Sequence, residues 1–352
     1  MEMENQCEEA QQLAKNWIRT RSGFGSFKHY SSIFQETVSL ILESSTIAPI
    51  ESLNLPFTRS SQKTIIHSPR DDRKYFQEDF HIGYKALFEL FLSKPSAFDP
   101  DLYWSLFWAL AKAEHRFMLR YTPLWSHEER LTGHFVSQIV EQLEYFGASW
   151  VQSNQSAQSS NSRMKIYYAD TAKDNQEKKT GADFGLIVQA SCGNRQEFIK
   201  AARFQVKKVD NNNKARIELR QVKNLNQSNS KIGYFLFYSQ FDSVRWILPP
   251  IVRSSKSLGY LVEESRGESE KPKTATVEVS KNGWDFSSFV TFGLADLTSD
   301  CGYLASNVQD AVNKLMRTES RENLPPSRII AISIGDDISV IDWNRLLEEY
   351  LG

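Results

Sequence analysis

Cysteine is scarce in this chain. There are three in 352 residues, at positions 7, 192 and 301, with no CxxC and no cysteine–histidine ligand spacing. That excludes a disulfide framework and a structural zinc of the usual kinds, and it fits a reducing cytoplasm. No run approaches the ~18 apolar residues of a membrane span. The opening "MEMENQCEEAQQLAKNWIRT" is acidic and polar, with no apolar core of a secretory signal. Excess charge is missing too: 42 Lys and Arg against 43 Asp and Glu leave a formal net charge of −1. The molecule is no polycation, so any nucleic-acid binding must come from a local basic surface. No GxxxxGK[ST], GxGxxG or GxSxG occurs, so P-loop, dinucleotide and hydrolase-elbow chemistries have no sequence support. The expectation is a soluble, cytoplasmic protein with no membrane partner.

What is present divides the chain in two. A prior of roughly 100–200 residues per domain suggests two domains. Residues 1–120 read as an all-helical N-terminal domain, regulatory or partner-binding. "SSIFQETVSLILESS" and "FHIGYKALFELFLSK" have helical spacing, with "IHSPRDDRKYFQED" a charged connector between them. "DPDLYWSLFWALAKAEHRFMLRY" opens on Asp99–Pro100, the cap-then-proline order of a helix start. Its stripe Trp104, Phe107 and Trp108 reads as core.

Residues 121–352 change character. "SHEERLTGHFVSQIVEQLEYFG" predicts a helix with Leu131, Phe135, Ile139 and Leu143 inward and Gly147 as its stop. "VQSNQSAQSSNSR" reads as a loop. The runs "KIYYAD", "ADFGLIVQA", "KAARFQVKKV", "YFLFYS", "VRWILPP", "KPKTATVEVS" and "SRIIAISIG" read as strands, the early ones in meander order. "NNNKARIELRQVKNLNQ" is a helix candidate capped by an asparagine, and "SDCGYLASNVQDAVNKLMRT" a late helix. The Ser-rich, charged stretch near 252–273 reads as an exposed insertion. The fold class is α/β, a mixed sheet flanked by helices.

The chemistry-bearing residues follow from strand alternation. In "AARFQVKKV", Arg203, Gln205 and Lys207 share one face and Phe204, Val206 and Lys208 the other. In "ADFGLIV", Asp183 shares its face with Gly185 and Ile187. If these two runs pair antiparallel, Asp183 meets Gln205 and Lys207 at one end, and Gly181 and Gly185 leave room there for a ligand. Glu128 lies three residues before Leu131 and seven before Phe135, on the inward helical face; Glu129 flanks it. Phosphodiester hydrolysis needs a hard cation held by oxygen ligands and a positive group near the attacking water. Carboxylates at Asp183 and Glu128, the amide of Gln205 and the amine of Lys207 are the groups available. Plainer readings stand beside this one. Asp183 is also a suitable turn aspartate, and Gln205 with Lys207 a suitable wet strand face. Glu128 and Glu129 suit a helix N-terminus capped by Ser126, with Glu129 completing a capping box. His127 and His134 read as surface residues.

The order of "EERLTG" on a helix, "TGADFGLIV" on a strand and "FQVKK" on the next resembles the PD-(D/E)xK, or restriction-endonuclease-like, nuclease superfamily. The third element matches the variant in which glutamine replaces the acid. "RQVKNL…SKIGYFLFYS…VRWILPP" is similar to the helix and strands that follow in bacterial defence-associated members. The resemblance covers roughly residues 124–345. It implies a restriction-endonuclease-like sheet and Mg²⁺- or Mn²⁺-dependent endonuclease action on DNA, with RNA the alternative substrate. Glu128 and Asp183 would be metal ligands, Gln205 an auxiliary ligand and Lys207 the catalytic lysine, with Glu129 and Gln221 as auxiliary candidates. It further implies an effector of an anti-phage system, gated by a protein partner such as an ATPase or sensor subunit. The alternative is a subunit with a lapsed site that binds nucleic acid or scaffolds a complex.

Local charge supports a phosphate-rich partner. Arg195 to Lys231 holds ten Lys and Arg and three acids, a balance of 10 − 3 = +7. From it, Arg203, Lys208, Lys214, Arg216, Arg220 and Lys223 are the candidate nucleic-acid contacts. A solvated hairpin and helix would carry the same charges.

Overall fold

The computed structural model describes residues 102–123, 126–154, 163–170, 182–191, 197–210, 214–226, 231–239, 249–264, 274–279, 283–316, 325–335, 338–343 and 345–346. The expected helices before residue 102, most of the expected loop after the long helix, and most of "VRWILPP" lie outside them.

Two long helices come first, α1 (Leu102–Arg120) and α2 (Glu128–Asn154). Strands β1 (Arg163–Asp170), β2 (Phe184–Ser191), β3 (Phe198–Lys208) and β4 (Lys214–Glu218) follow, then α3 (Leu219–Asn226) and β5 (Gly233–Tyr238). Next are β6 (Ile251–Ser254), α4 (Ser255–Glu264), β7 (Thr274–Glu278) and β8 (Trp284–Asp285). A helical turn at Phe286–Ser288 runs into a π-helix, Phe289–Leu294; then come β9 (Tyr303–Ala305), α5 (Val308–Met316) and β10 (Arg328–Gly335).

The main sheet has the order β1-β10-β2-β3-β5-β6-β8, with β9 also on β3. β10 runs parallel to β2 and β5 parallel to β3, while β2 and β3 are antiparallel, so the sheet is mixed as expected. A meander does not describe it, however. The last strand in sequence inserts between β1 and β2 and becomes central. Its run of Ile329, Ile330, Ile332 and Ile334 suits a strand covered on both faces, and all four are buried. β1, left at the edge, alternates partly covered and exposed residues and carries Arg163, Lys165 and Asp170, as edge strands do.

One face of the sheet is covered by α1 and α2. Phe184 and Phe204 stack at 4.6 Å beneath Phe286 and Phe289, and Phe117, Phe135 and Tyr238 close the layer. Trp104, Phe107 and Trp108 are core, as their stripe suggests, and Leu131, Phe135, Ile139 and Leu143 all point inward. α1 therefore belongs to the same core as the sheet. The boundary expected at residue 120 falls inside that core. The other face is covered by α5 over β2, β3 and β10, and by α3, α4 and the β4–β7 ribbon over β3, β5 and β6.

Several local expectations change. α2 runs through Gly147 to Asn154; the glycine instead lets the helix pass β1, since a Cβ there would lie 3.2 Å from the Met164 carbonyl. Lys214–Glu218 is a strand, because Ala215 and Ile217 alternate with charged neighbours, and the helix starts only at Leu219. The stretch expected as an insertion near 252–273 enters the fold over its first part: Val252 and Arg253 are sheet residues, and Ser255 and Leu258 are fully buried. Residues 265–273 lie outside the described ones. The late helix is preceded by a short strand, β9.

Two buried ionisable side chains organise the α1 side. Lys200, on β3, donates to the carbonyls of Gly293, Asp296 and Ser299, tying the turn after the π-helix to the sheet. Glu114 of α1 accepts from the Ser287 backbone N–H at 3.2 Å, and Asp285 caps the same turn through Ser288 N–H at 2.9 Å. Burial, and then the charge of Asp285, hold the Glu114 carboxyl well above the ordinary carboxylate range. The folded chain thus binds more protons than the unfolded chain from the ordinary carboxylate value up to the raised one, so stability falls as pH climbs through that window. Glu114→Gln retains an oxygen acceptor and removes the ionisation. Its thermal midpoint should match wild type near about pH 4 and exceed it near about pH 8; parallel profiles across that range would contradict the assignment.

Candidate functional site

The site lies where pairing between β2 and β3 runs out. Phe184 opposes Phe204 in the register, which sets Asp183 against Gln205. Asp183 N–H still donates to the Phe204 carbonyl at 2.8 Å, so the aspartate is the last residue tied to the ladder. On β3, odd-numbered N–H groups face β5: Arg203 N–H reaches the Ile232 carbonyl at 2.7 Å and Val209 N–H the Tyr238 carbonyl at 2.9 Å. Even-numbered ones therefore face β2, which has already ended opposite Gln205.

Carboxylates complete the ladder there. Asp183 Oδ2 accepts Val206 N–H at 2.6 Å and Gln205 Nε2–H at 2.8 Å. Glu128 Oε1, from the first turn of α2, accepts Lys208 N–H at 2.9 Å. Lys207 Nζ lies 3.7 Å from Glu128 Oε2, and Lys208 Nζ donates to the Ser126 carbonyl at 3.0 Å. Asp183 and Gln205 are 5% and 1% exposed; the side chains of Lys207 and Glu128 are 16% and 37% exposed. The four residues singled out in sequence thus come together, graded from a buried amide–carboxylate pair to a half-open lysine–carboxylate pair.

The plainer readings are also resolved in part. Ser126 does not cap α2: its hydroxyl is buried without a hydrogen-bond partner, while Leu131 N–H bonds the His127 carbonyl. Glu129 is exposed. Gly185 makes room for protein, not ligand, since a Cβ there would meet Leu315 Cδ1 at 2.9 Å. Gly181 lies outside the described residues.

The basic candidates separate by exposure. Lys214, Arg216, Arg220 and Lys223 are exposed on β4 and α3. Arg203 is not a surface contact. It is fully buried, donates to the Lys314 carbonyl at 2.6 Å near the end of α5, and burial lowers its pKa to about 10. Strand alternation placed it correctly beside Gln205, but a helix end covers it. Lys208 is half-buried and committed to Ser126. Gln221 is half-buried on α3, with Oε1 lacking a hydrogen-bond partner.

A cleft of about 760 Å³ borders the site, lined by His127, Glu129, Arg130, Gly133, His134 and Arg328. Sequence reasoning took both histidines for plain surface. The clue available was their spacing with Arg130 around one side of the first two turns of α2; Arg328 arrives from a strand 200 residues away and carried no signal.

As donors for a divalent cation, Glu128, Asp183 and the Gln205 amide oxygen offer two carboxylates and one neutral group. Among the described residues no cluster of three or more His, Cys, Asp or Glu has metal-ligand geometry. By chemistry alone these three groups are oxygen donors of the kind a hard cation such as Mg²⁺ takes together with waters and substrate oxygens. Among the described residues no helix is long and apolar enough to cross a membrane. Comparison with family models, with curated proteins and with solved structures finds no match for this chain.

Because Glu128 completes the β3 ladder, its acceptor role separates from its charge by mutation. Glu128→Gln keeps an acceptor for Lys208 N–H and should unfold with wild type, whereas Glu128→Ala should lose about 1 kcal/mol in denaturant titration. Equal stability of the two variants would contradict the ladder role.

Proposed function

We propose that this chain is a metal-dependent nuclease that hydrolyses phosphodiester bonds in DNA, with a fold akin to the restriction-endonuclease type. One observation carries the reading: Glu128 of α2, Asp183 just before β2, and Gln205 and Lys207 of β3 converge at one strand end. Asp183 and Glu128 would hold a Mg²⁺ or Mn²⁺ ion, with the Gln205 carbonyl as a weaker partner. Such an ion supplies charge neutralisation at the phosphate and lowers the pKa of its water. The Gln205–Asp183 and Val206–Asp183 bonds fix the carboxylate in one orientation, so little reorganisation is needed when a phosphate arrives. Lys207, the more open cation, is placed to orient the attacking water and to stabilise negative charge on the phosphate oxygens. Lys214, Arg216, Arg220 and Lys223 offer an exposed basic surface on β4 and α3 for the nucleic-acid backbone.

A nuclease of this kind would endanger its own host, which favours gating by a partner or by residues 1–101, as in an effector of antiviral defence with a separate sensor or ATPase. Full-rate degradation of host DNA by the purified chain alone would contradict such gating.

The second reading is a nucleic-acid-binding subunit with a lapsed site. The observation favouring it is that Asp183 is 5% exposed and its Oδ2 already accepts two N–H bonds, which a purely structural aspartate would also show.

Cleavage separates them. Plasmid and linear DNA with Mg²⁺ or Mn²⁺ should be cut by wild type, and Asp183→Ala and Lys207→Ala should each reduce the rate by about 10²-fold or more. Cutting that survives both variants would overturn the assignment. DNA binding with no cutting, both alone and in cell extract, would establish the lapsed subunit.

A further inference from the structure

The cleft beside the site has no part in the hydrolysis described above, yet its walls are chemically specific. His127 immediately precedes α2, Arg130 comes from its first turn, His134 from the second, and Arg328 from the start of β10. Arg328 crosses the face of α2 at Gly133, where a Cβ would stand 3.6 Å from its guanidinium nitrogen. His134 is stacked on Tyr121 at 4.2 Å and 13°, so its ring is already held flat on one side. Glu129 lines the same cleft, and Arg328, in register with Asp170 of β1, is hydrogen-bonded to the Tyr168 hydroxyl, so the lining is cationic without being a bare positive pool.

Position ties the cleft to the strand end. Ile329 is in register with Gly185, which sets Arg328 level with Phe184, one residue from Asp183. Glu128 sits in sequence between the cleft residues His127 and Glu129. Two guanidiniums present forked donors suited to phosphate oxygens. A flat, pre-stacked imidazole offers a ring against which a base can pack. The volume, about 760 Å³, lies within the roughly 300–1,000 Å³ of ordinary ligand pockets.

We propose that this cleft is a nucleotide subsite, in which Arg130 and Arg328 bind a backbone phosphate and the His134–Tyr121 pair stacks the adjoining base, next to the bond to be cut. The subsite rests on the nuclease reading for its role, but its binding is measurable without cleavage. A nucleic acid lying across this edge of the sheet would meet the cleft on the α2 side and Lys207 at the strand end. Unstacked bases are required for such a contact, so single strands, frayed ends or distorted duplex are the preferred ligands.

The test uses full-length chain carrying Asp183→Asn and fluorescein-labelled single-stranded oligonucleotides of DNA and of RNA, followed by anisotropy over a range of salt. In that background, His134→Ala should raise Kd about tenfold and His134→Phe should restore most of the affinity. Arg130→Gln should weaken binding and reduce the slope of log K against log salt by about one. A change in stability alone would not alter that slope. Tighter binding of the DNA or of the RNA oligonucleotide identifies which of the two the subsite takes. If all variants bind as the Asp183→Asn parent does, with the same slope, the subsite is wrong while the nuclease reading stands on its cleavage test. If the parent binds neither oligonucleotide, the subsite fails together with the nucleic-acid reading.

Discussion

The bond between Val206 N–H and Asp183 Oδ2, 2.6 Å long, is the contact on which the candidate site depends. A buried strand cannot leave its amides unpaired. β3 outlasts β2 by several residues, and its even-numbered N–H groups face the place where β2 has stopped. Asp183 turns its carboxylate back to take one of them, and Glu128 arrives from α2 to take the next. The requirement of the backbone thus brings two carboxylates, from elements far apart in sequence, to one edge. Gln205 and Lys207 then follow from strand alternation, being placed on the face that Asp183 shares.

The same arrangement explains why a polar site can persist against a dense apolar core. Phe184 and Phe204, the immediate neighbours of Asp183 and Gln205, point to the opposite face and stack within the α1–α2 layer. Each strand therefore anchors itself through one set of side chains and presents chemistry through the other. α2 does both as well: Leu131 and Phe135 fix it to the sheet while Glu128, at its first turn, reaches the end of β3. A rigid scaffold of this kind holds functional groups with little freedom, as a catalytic constellation requires.

Much of this was legible in the sequence because it is a matter of period. Alternation in "AARFQVKKV" assigned Gln205 and Lys207 to one face, helical spacing turned Leu131, Phe135, Ile139 and Leu143 inward, and the aromatic stripe of α1 read as core. What periodicity does not carry is partnership at long range. The isoleucine run of β10 was clear as a strand, yet nothing local says that it inserts between β1 and β2. Arg203 was assigned to the correct face, but its burial depends on the end of α5 passing over it. Gly185 spoke for open space near Asp183, and only the path of Leu315 shows that the space is filled. The polar composition near Arg253 and Ser255 hid a strand and a helix whose buried side chains are few but fully covered. Arg328 joined the cleft through tertiary structure alone.

The proposed function requires Asp183 to do more than close a ladder: it would hold a divalent cation at the strand end. Mn²⁺ binding followed by the loss of the free-ion electron paramagnetic resonance signal tests this directly, without substrate and without cleavage. Wild type should bind the ion, and Asp183→Asn, which preserves an oxygen acceptor for Val206 N–H, should bind it at least about tenfold more weakly. Equal Mn²⁺ binding by the two proteins would contradict the account and leave Asp183 a structural residue.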